Sequence, residues 1–410
     1  MTFTAPLIFV AILLSGLIDL YLERRQAAAV VAHRDHVPAE FAGQVSLDEH
    51  QRAADYTLAR TRLGLAQTTF DTILAALWLA LLLGPVYAFL AKFIAPGLSR
   101  STALVIAVAA IGTILNLPFA MIRTFWLEAR FGFNRTTPAM FLGDQVKAGA
   151  LQLALAVPLL YGLFAMLRAL PDLWWLFGWA ALMAVMIAML VIYPAFIAPL
   201  FNKFTPMAEG PMKAGIEALL GKCGFESKGL FVMDASKRST HGNAYFSGFG
   251  KAKRIVFFDT LLEKHSQEEI LAVLAHELGH YKFGHVLQRI AEAALLTFLA
   301  FFVLHWAFAA GGLAKEFGLA DDPGLVLIVV LIAFGPVSQL ISPLTNYLSR
   351  RAEFQADGFA KAKVGREPMI SALTKLSRDN LSTLTPDWLY ALFTYSHPPV
   401  PERIAHLKGA

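Results

Sequence analysis

His276-Glu277-Leu278-Gly279-His280 brings together two imidazoles and a carboxylate at a spacing that can do chemistry. On a helix, residues four apart lie one above the other, so His276 and His280 can each turn a ring nitrogen toward one metal ion. Glu277 is too offset to be a third ligand, but it is placed to take a proton from water activated by that metal. This donor set points to a single catalytic zinc. Ser266-Gln267-Glu268-Glu269 reads as a capping box, with Ser266 as N-cap and Glu269 reaching back. The helix it opens runs through Leu271, Leu274 and Leu278, with the motif in its interior, and is expected to continue as far as Glu292.

A catalytic zinc usually keeps three protein ligands and leaves one position for water. An extended metzincin motif would need glycine at position 283 and histidine at 286, where this chain has Phe283 and Val286. His285 misses by one place and is read as a surface or supporting histidine. Among the downstream glutamates, Glu292 on the zinc helix cannot fold back to its own metal, whereas Glu353 sits where the last apolar span turns polar. Asn346, Arg350, Glu353 and Asp357 are spaced by four, three and four, one stripe on one helix face. An ordinary salt-bridged helix end would explain Arg350, Glu353 and Asp357 by themselves. Beside the zinc motif the stripe reads instead as the third ligand, Glu353, with Asp357 accepting a hydrogen bond from a zinc-binding histidine.

The elements that position these residues lie in a membrane. Hydrophobic residues make up 57% of the 410-residue chain and charged residues 16%, with a mean hydropathy of +0.55, unlike a soluble domain. Seven apolar stretches, 7–21, 73–90, 104–126, 149–167, 173–200, 291–310 and 325–347, approach or reach the length needed to cross a bilayer. The first lacks a basic n-region and a small-residue cleavage site, and Arg24 and Arg25 follow it, so it reads as a retained helix. Lys and Arg in the successive loops number 6, 2, 4 (with Arg123 at the end of its span), 1, 12 and 1, with 9 in the C-terminal tail. That alternation puts loops one, three and five and the C-terminus in the cytoplasm, and the zinc motif opens on that side. The net charge of +5 is accounted for by topology and calls for no nucleic acid. Cys223 is the only cysteine, which excludes an internal disulfide and a thiolate-rich metal site. Asp19, Asp71, Asn116 and His305 are polar residues in or beside apolar spans; lining an aqueous interior and helix-to-helix hydrogen bonding explain them equally well.

The chain divides into 1–203, an N-terminal membrane domain with five spans, and 204–410, a zinc domain that includes the spans 291–310 and 325–347. Between Asn202 and Arg289 the composition turns mixed, and Ala244–Ser247 and Arg254–Phe258 read as a hairpin around Gly248-Phe249-Gly250.

Several stretches, in order, resemble the integral-membrane zinc metalloproteases typified by CAAX prenyl protease type 1. They are Phe131-Gly132-Phe133-Asn134-Arg135-Thr136-Thr137, Pro199-Leu200-Phe201-Asn202-Lys203-Phe204-Thr205-Pro206, Ser236-Lys237-Arg238 to Asn243-Ala244-Tyr245-Phe246, the zinc motif, Ser349-Arg350 to Asp357, and Ser396-His397-Pro398-Pro399. The resemblance covers most of the chain from about residue 120 onward. It implies a mainly α integral membrane protein with seven transmembrane helices around a water-filled chamber, capped by a zincin-like domain with a small β-hairpin. It also implies that His276, His280 and Glu353 bind zinc and that Glu277 is general base and later proton donor. His397 and Arg403 would stabilise the oxyanion, while Asn243, Ala244 and Tyr245 would form a strand edge that pairs with an extended peptide.

The reaction expected is zinc-dependent endoproteolysis near the C-terminus of an extended substrate. In the family that substrate is a prenylated C-a-a-X peptide. The alternative is a quality-control protease of membrane proteins without prenyl specificity, and a remote one is a channel or transporter with a polar interior. The expected setting is a multi-pass protein of the inner membrane in a bacterium or of the endoplasmic reticulum in a eukaryote.

Overall fold

The structure, a computed structural model, describes residues 4–226, 229–247 and 254–409. Five apolar elements come first: α1 (Thr4–His33), α2 (Leu47–Leu77) running through a π-helical turn into α3 (Leu83–Ala91), α4 (Leu98–Ile122), α5 (Pro138–Ala169) and α6 (Trp174–Ile192). A mixed segment follows, with β1 (Phe204–Pro206), α7 (Pro211–Lys222), β2 (Leu230–Met233), β3 (Ala244–Ser247), β4 (Arg254–Phe258), α8 (Asp259–Lys264) and α9 (Gln267–Lys282). Two long apolar helices, α10 (His285–Ala310) and α11 (Pro323–Val364), precede α12 (Arg366–Asp379), α13 (Trp388–Thr394) and α14 (Val400–Lys408).

Seven of these helical runs are long and apolar enough to cross a bilayer, as the sequence predicts. In a solid bundle one face of every helix would be buried. Here the most apolar stretches of the third and fifth runs bury 0% of their residues and that of the seventh only 33%. Such sparse burial fits helices arranged around a hollow better than a solid bundle. The polar residues within these helices make local contacts. Gln339 on α11 donates to Asp19 on α1 at 2.6 Å, Asn116 donates to the Gly112 carbonyl on its own helix, and His305 stacks on Trp175.

The hairpin falls on the predicted residues, with β3 antiparallel to β4 and Ala244 opposite Phe257; its Gly248-Phe249-Gly250 turn lies outside the described residues. It belongs to a four-stranded mixed sheet ordered β1-β2-β4-β3, in which β2 runs parallel to β4. The sheet's two edge strands are therefore β1 and β3. Behind the sheet a core of Ile216, Leu220, Ile255, Phe257, Leu261, Ile270, Leu274, Leu278, Leu373 and Leu407 joins β4, α7, α8, α9, α12 and α14. The buried stripe of α9 is Ile270, Leu274 and Leu278, at the i, i+4, i+8 spacing of one helix face.

Two features place the site. First, α11 spans 42 residues, about 63 Å of axis; Glu353 lies some 45 Å from its start, beyond the ~30 Å of hydrocarbon. Second, α9 and α11 approach at Gly279, where an added Cβ would sit 2.8 Å from the Ala356 Cα. Only glycine permits that backbone approach. Gly279→Ala is expected to force the two ligand-bearing helices apart and to cost about 1–3 kcal/mol of stability. A thermal melt of the metal-free variant equal to wild type would contradict this.

The zinc helix does not continue to Glu292. It ends at Lys282, and Gly284, at φ +69°, turns the chain into α10. The left-handed conformation, natural for glycine after a helix end, breaks what the apolar pattern made look continuous.

Candidate active site

The capping box forms as predicted: Ser266 Oγ accepts from Glu269 N at 3.3 Å and Glu269 Oε2 accepts from Ser266 N at 2.9 Å. From that fixed start, α9 presents His276 and His280 to α11. Their Nε2 atoms lie 3.1 Å apart. Glu353 Oε2 is 3.3 Å from His276 Nε2, and Oε1 is 3.2 Å from His280 Nε2. Three electron-pair donors thus converge, and Glu353, 2% exposed, keeps one buried carboxylate oxygen without a hydrogen bond. Such a donor set fits a metal cation. Donors about 2.0–2.1 Å from a tetrahedral ion stand about 3.3 Å apart from each other, which matches the observed spacings.

Asp357, wholly buried, fixes His276 from behind: its Oδ1 is 2.8 Å from His276 Nδ1. A proton on Nδ1 leaves the Nε2 lone pair facing the cluster. Burial opposes a charge on His276, but Asp357 and Glu353 outweigh it and lift the ring to about 9, so a metal at this ring competes with a proton. Arg403 forks onto Asp357 through Nε at 2.8 Å and Nη2 at 2.6 Å. Its remaining nitrogen, Nη1, points toward Glu353 Oε2 at 3.7 Å.

Glu277 is partly buried beside the cluster, and burial raises its carboxyl above the ordinary glutamate range. That shift suits a base that must both take and return a proton. His397 Nε2 lies 3.4 Å from Glu353 Oε1, yet its side chain is 63% exposed. Surrounding protein nonetheless depresses its basicity. The ring thus meets the buried cluster at Nε2 and is otherwise open.

Asn346 and Arg350 act one step further out than the predicted stripe suggests. Asn346 Nδ2 donates to the Leu392 and Phe393 carbonyls and Arg350 Nη1 to that of Ala391. They bond the carbonyls at the end of α13, those of Leu392 and Phe393 and that of Ala391, which Tyr395 N–H also reaches, and His397 follows three residues after the helix ends. The sequence reading missed Ser349, which accepts from Arg289 at 2.8 Å and donates to the Ser396 carbonyl at 2.6 Å. Its place on the same helix face, between Asn346 and Glu353, was the available signal.

The strand β3 is held from the membrane side. Arg238 pairs with Asp144 on α5 and donates to Asn202 after α6, and Asn134 bridges to Ser239. Three of the stretches that carry the family resemblance therefore meet in one joint ahead of β3. Since Asn243 O accepts from Phe258 N, alternation turns the backbone groups of Ala244 and Phe246 away from β4. The Asn243 side chain covers the Ala244 N–H at 2.8 Å.

A sequence profile described as CAAX prenyl protease N-terminal, five membrane helices, matches residues 26–203, and one described as peptidase family M48 matches residues 206–410. The chain belongs to peptidase family M48. It is a multi-pass membrane metallopeptidase acting on a peptide or protein substrate. Among curated M48 relatives, a CAAX prenyl protease 1 homolog of Oryza sativa is 40% identical over 300 residues, covering 72% of this chain and 70% of the relative. The homolog of Homo sapiens is 34% identical over 351 residues, covering 76% and 74%. The crystal structure of S. mikatae Ste24p superposes with a TM-score of 0.91 at 28% identity, covering 98% of each chain. The M48 chain is thus alike in fold from end to end, and a peptidase replaces the transport reading.

Proposed function

We propose that this M48 peptidase uses one zinc ion, held by His276, His280 and Glu353, to cut a peptide bond near the C-terminus of an extended substrate. The observation that carries the proposal is the convergence of three donors at 3.1–3.3 Å. Bound zinc would supply Lewis-acid polarisation of the scissile carbonyl and of the attacking water. Glu277 takes the water proton on its carboxylate and returns it to the leaving amine. His397 Nδ1 lies 3.0 Å from the Ser396 hydroxyl, and with that hydroxyl as donor the ring's own proton sits on Nε2. That N–H, with Arg403 Nη1, is aimed to stabilise the developing oxyanion. The substrate lies along β3, displacing the Asn243 side chain from Ala244 N–H; the outward backbone groups of Ala244 and Phe246 pair with it, flanked by Asn243 and Tyr245, whose own backbone groups face β4, so backbone rather than sequence is selected.

The boundary near residue 203 separates a five-helix membrane domain from the zinc domain, which adds two further membrane helices. The loop charges orient the catalytic face and the C-terminus to the cytoplasm and the N-terminus opposite. As the names of the relatives suggest, the substrate is a C-terminal C-a-a-X peptide bearing a prenyl group, whose chain the apolar chamber wall accommodates. A matched pair of C-a-a-X peptides, prenylated and unprenylated, tests this. The prenylated one should have a kcat/KM higher by about tenfold or more, a preference of ~1.4 kcal/mol. Equal cleavage would remove the prenyl specificity and favour general quality control of membrane proteins.

A further inference from the structure

The α9–α10 turn folds His285 back under the zinc motif. With Gly284 at φ +69°, the helix breaks and the turn seats the His285 ring, 2% exposed, edge-on to His280 at a centroid distance of 5.1 Å. His285 Nδ1 lies 2.9 Å from His280 Nδ1, and His285 Nε2 lies 2.9 Å from Gln355 Oε1. We propose that His285 is a positioning residue, which with Gln355 holds His280 in the one tautomer that can bind the metal. The inference rests on His280 being a ligand through Nε2.

The direction of the chain follows from its end. An amide oxygen only accepts, so His285 carries its proton on Nε2 and donates it to Gln355. Its Nδ1 is then an acceptor, which requires the proton of His280 to sit on Nδ1. His280 Nε2 is thereby left as a lone pair facing His276 Nε2 at 3.1 Å and Glu353 Oε1 at 3.2 Å. The opposite tautomer would aim an N–H into the same space and block an ion. Gln355 lies two residues beyond Glu353, so α11 supplies both the third ligand and the anchor that orients the second.

The two histidines are therefore held differently. His276 is backed by the charged carboxylate of Asp357, which raises its basicity as a ligand. His280 is backed by a neutral imidazole and a neutral amide, which fix the ring without adding charge. The sequence shows the pieces, His285 five places after His280 and Gln355 two after Glu353, but not the helix break at Gly284 that joins them.

Full-length protein in detergent provides the test. His285→Phe keeps a ring and removes the acceptor; His285→Gln restores a carbonyl that can accept from His280; Gln355→Leu removes the anchor. Zinc affinity by chelator competition should fall roughly 10–100-fold in His285→Phe, less in Gln355→Leu, and recover in part in His285→Gln. The melting temperature of the metal-free His285→Phe protein should stay within a few degrees of wild type. Unchanged affinity in both His285→Phe and Gln355→Leu would overturn the proposal, as would a loss of affinity matched by loss of metal-free stability and not rescued by glutamine. If His285→Phe fails to fold, Gln355→Leu against His285→Gln decides by the same readout. His280→Ala is the reference: wild-type affinity there would sink the ligand reading itself, separately from the relay.

Discussion

Replacing Glu277 by alanine is expected to abolish peptide cleavage while leaving the metal in place. Glu277 contributes none of the three donor atoms of the cluster, so metal content should equal that of wild type. What disappears is proton transfer at two points of the reaction, and general acid–base groups contribute up to about 10⁴-fold. A loss of kcat of roughly 10³–10⁴-fold is expected, with KM little changed because no binding contact is removed. Burial of an unpartnered carboxylate with a raised pKa is a stability cost, so the variant should melt at or slightly above wild type. Activity within tenfold of wild type would show that another group moves the proton. A variant that lost its metal would show that Glu277 had been misassigned.

The second large effect is expected at Glu353. Glu353→Gln keeps the side-chain volume but removes the charge that faces His276, His280, His397 and Arg403. The amide presents hydrogen-bond donors where lone pairs are needed, and metal affinity should fall by more than the ~10–100-fold typical of a supporting residue. The purified variant should carry little metal and cleave no substrate. Removing one member of a buried charge cluster also costs about 3–5 kcal/mol, so the metal-free melt must be compared in parallel. Stoichiometric metal with normal cleavage in Glu353→Gln would exclude it as a ligand.

The parts of this site that could be read from the sequence are those set by helix geometry. His276 and His280 had to share a face because four residues make about one turn, and the Asn346-to-Asp357 stripe had to face something polar at the edge of an apolar span. The capping box at Ser266 and Glu269 and the two strands of the hairpin carry local signals, and both form where expected. What could not be read depends on tertiary contact or on one dihedral angle. Val286 and Ile290 continue the apolar pattern of α9, so the break at Gly284 left little trace beyond the glycine itself. Strands β1 and β2, of three and four residues, are too short for alternation to show, and they exist because β4 pairs with β2. The long first loop is mostly helix, since α1 runs to His33 and α2 starts at Leu47. Its capping box at Ser46 and Glu49 was the legible sign. Asn346 and Arg350 lie on the expected face but hold the end of α13, because a helix stripe tells which way residues point and not what they meet.

The central claim is that peptide cleavage depends on one zinc held between α9 and α11. Elemental analysis of the purified full-length protein, paired with cleavage measured before chelation, after chelation and after return of zinc, tests it most directly. The expected result is about one zinc per chain, loss of cleavage in step with loss of zinc, and recovery on its return. Cleavage that persists in protein freed of metal, or a preparation with no stoichiometric zinc and full activity, would contradict the account.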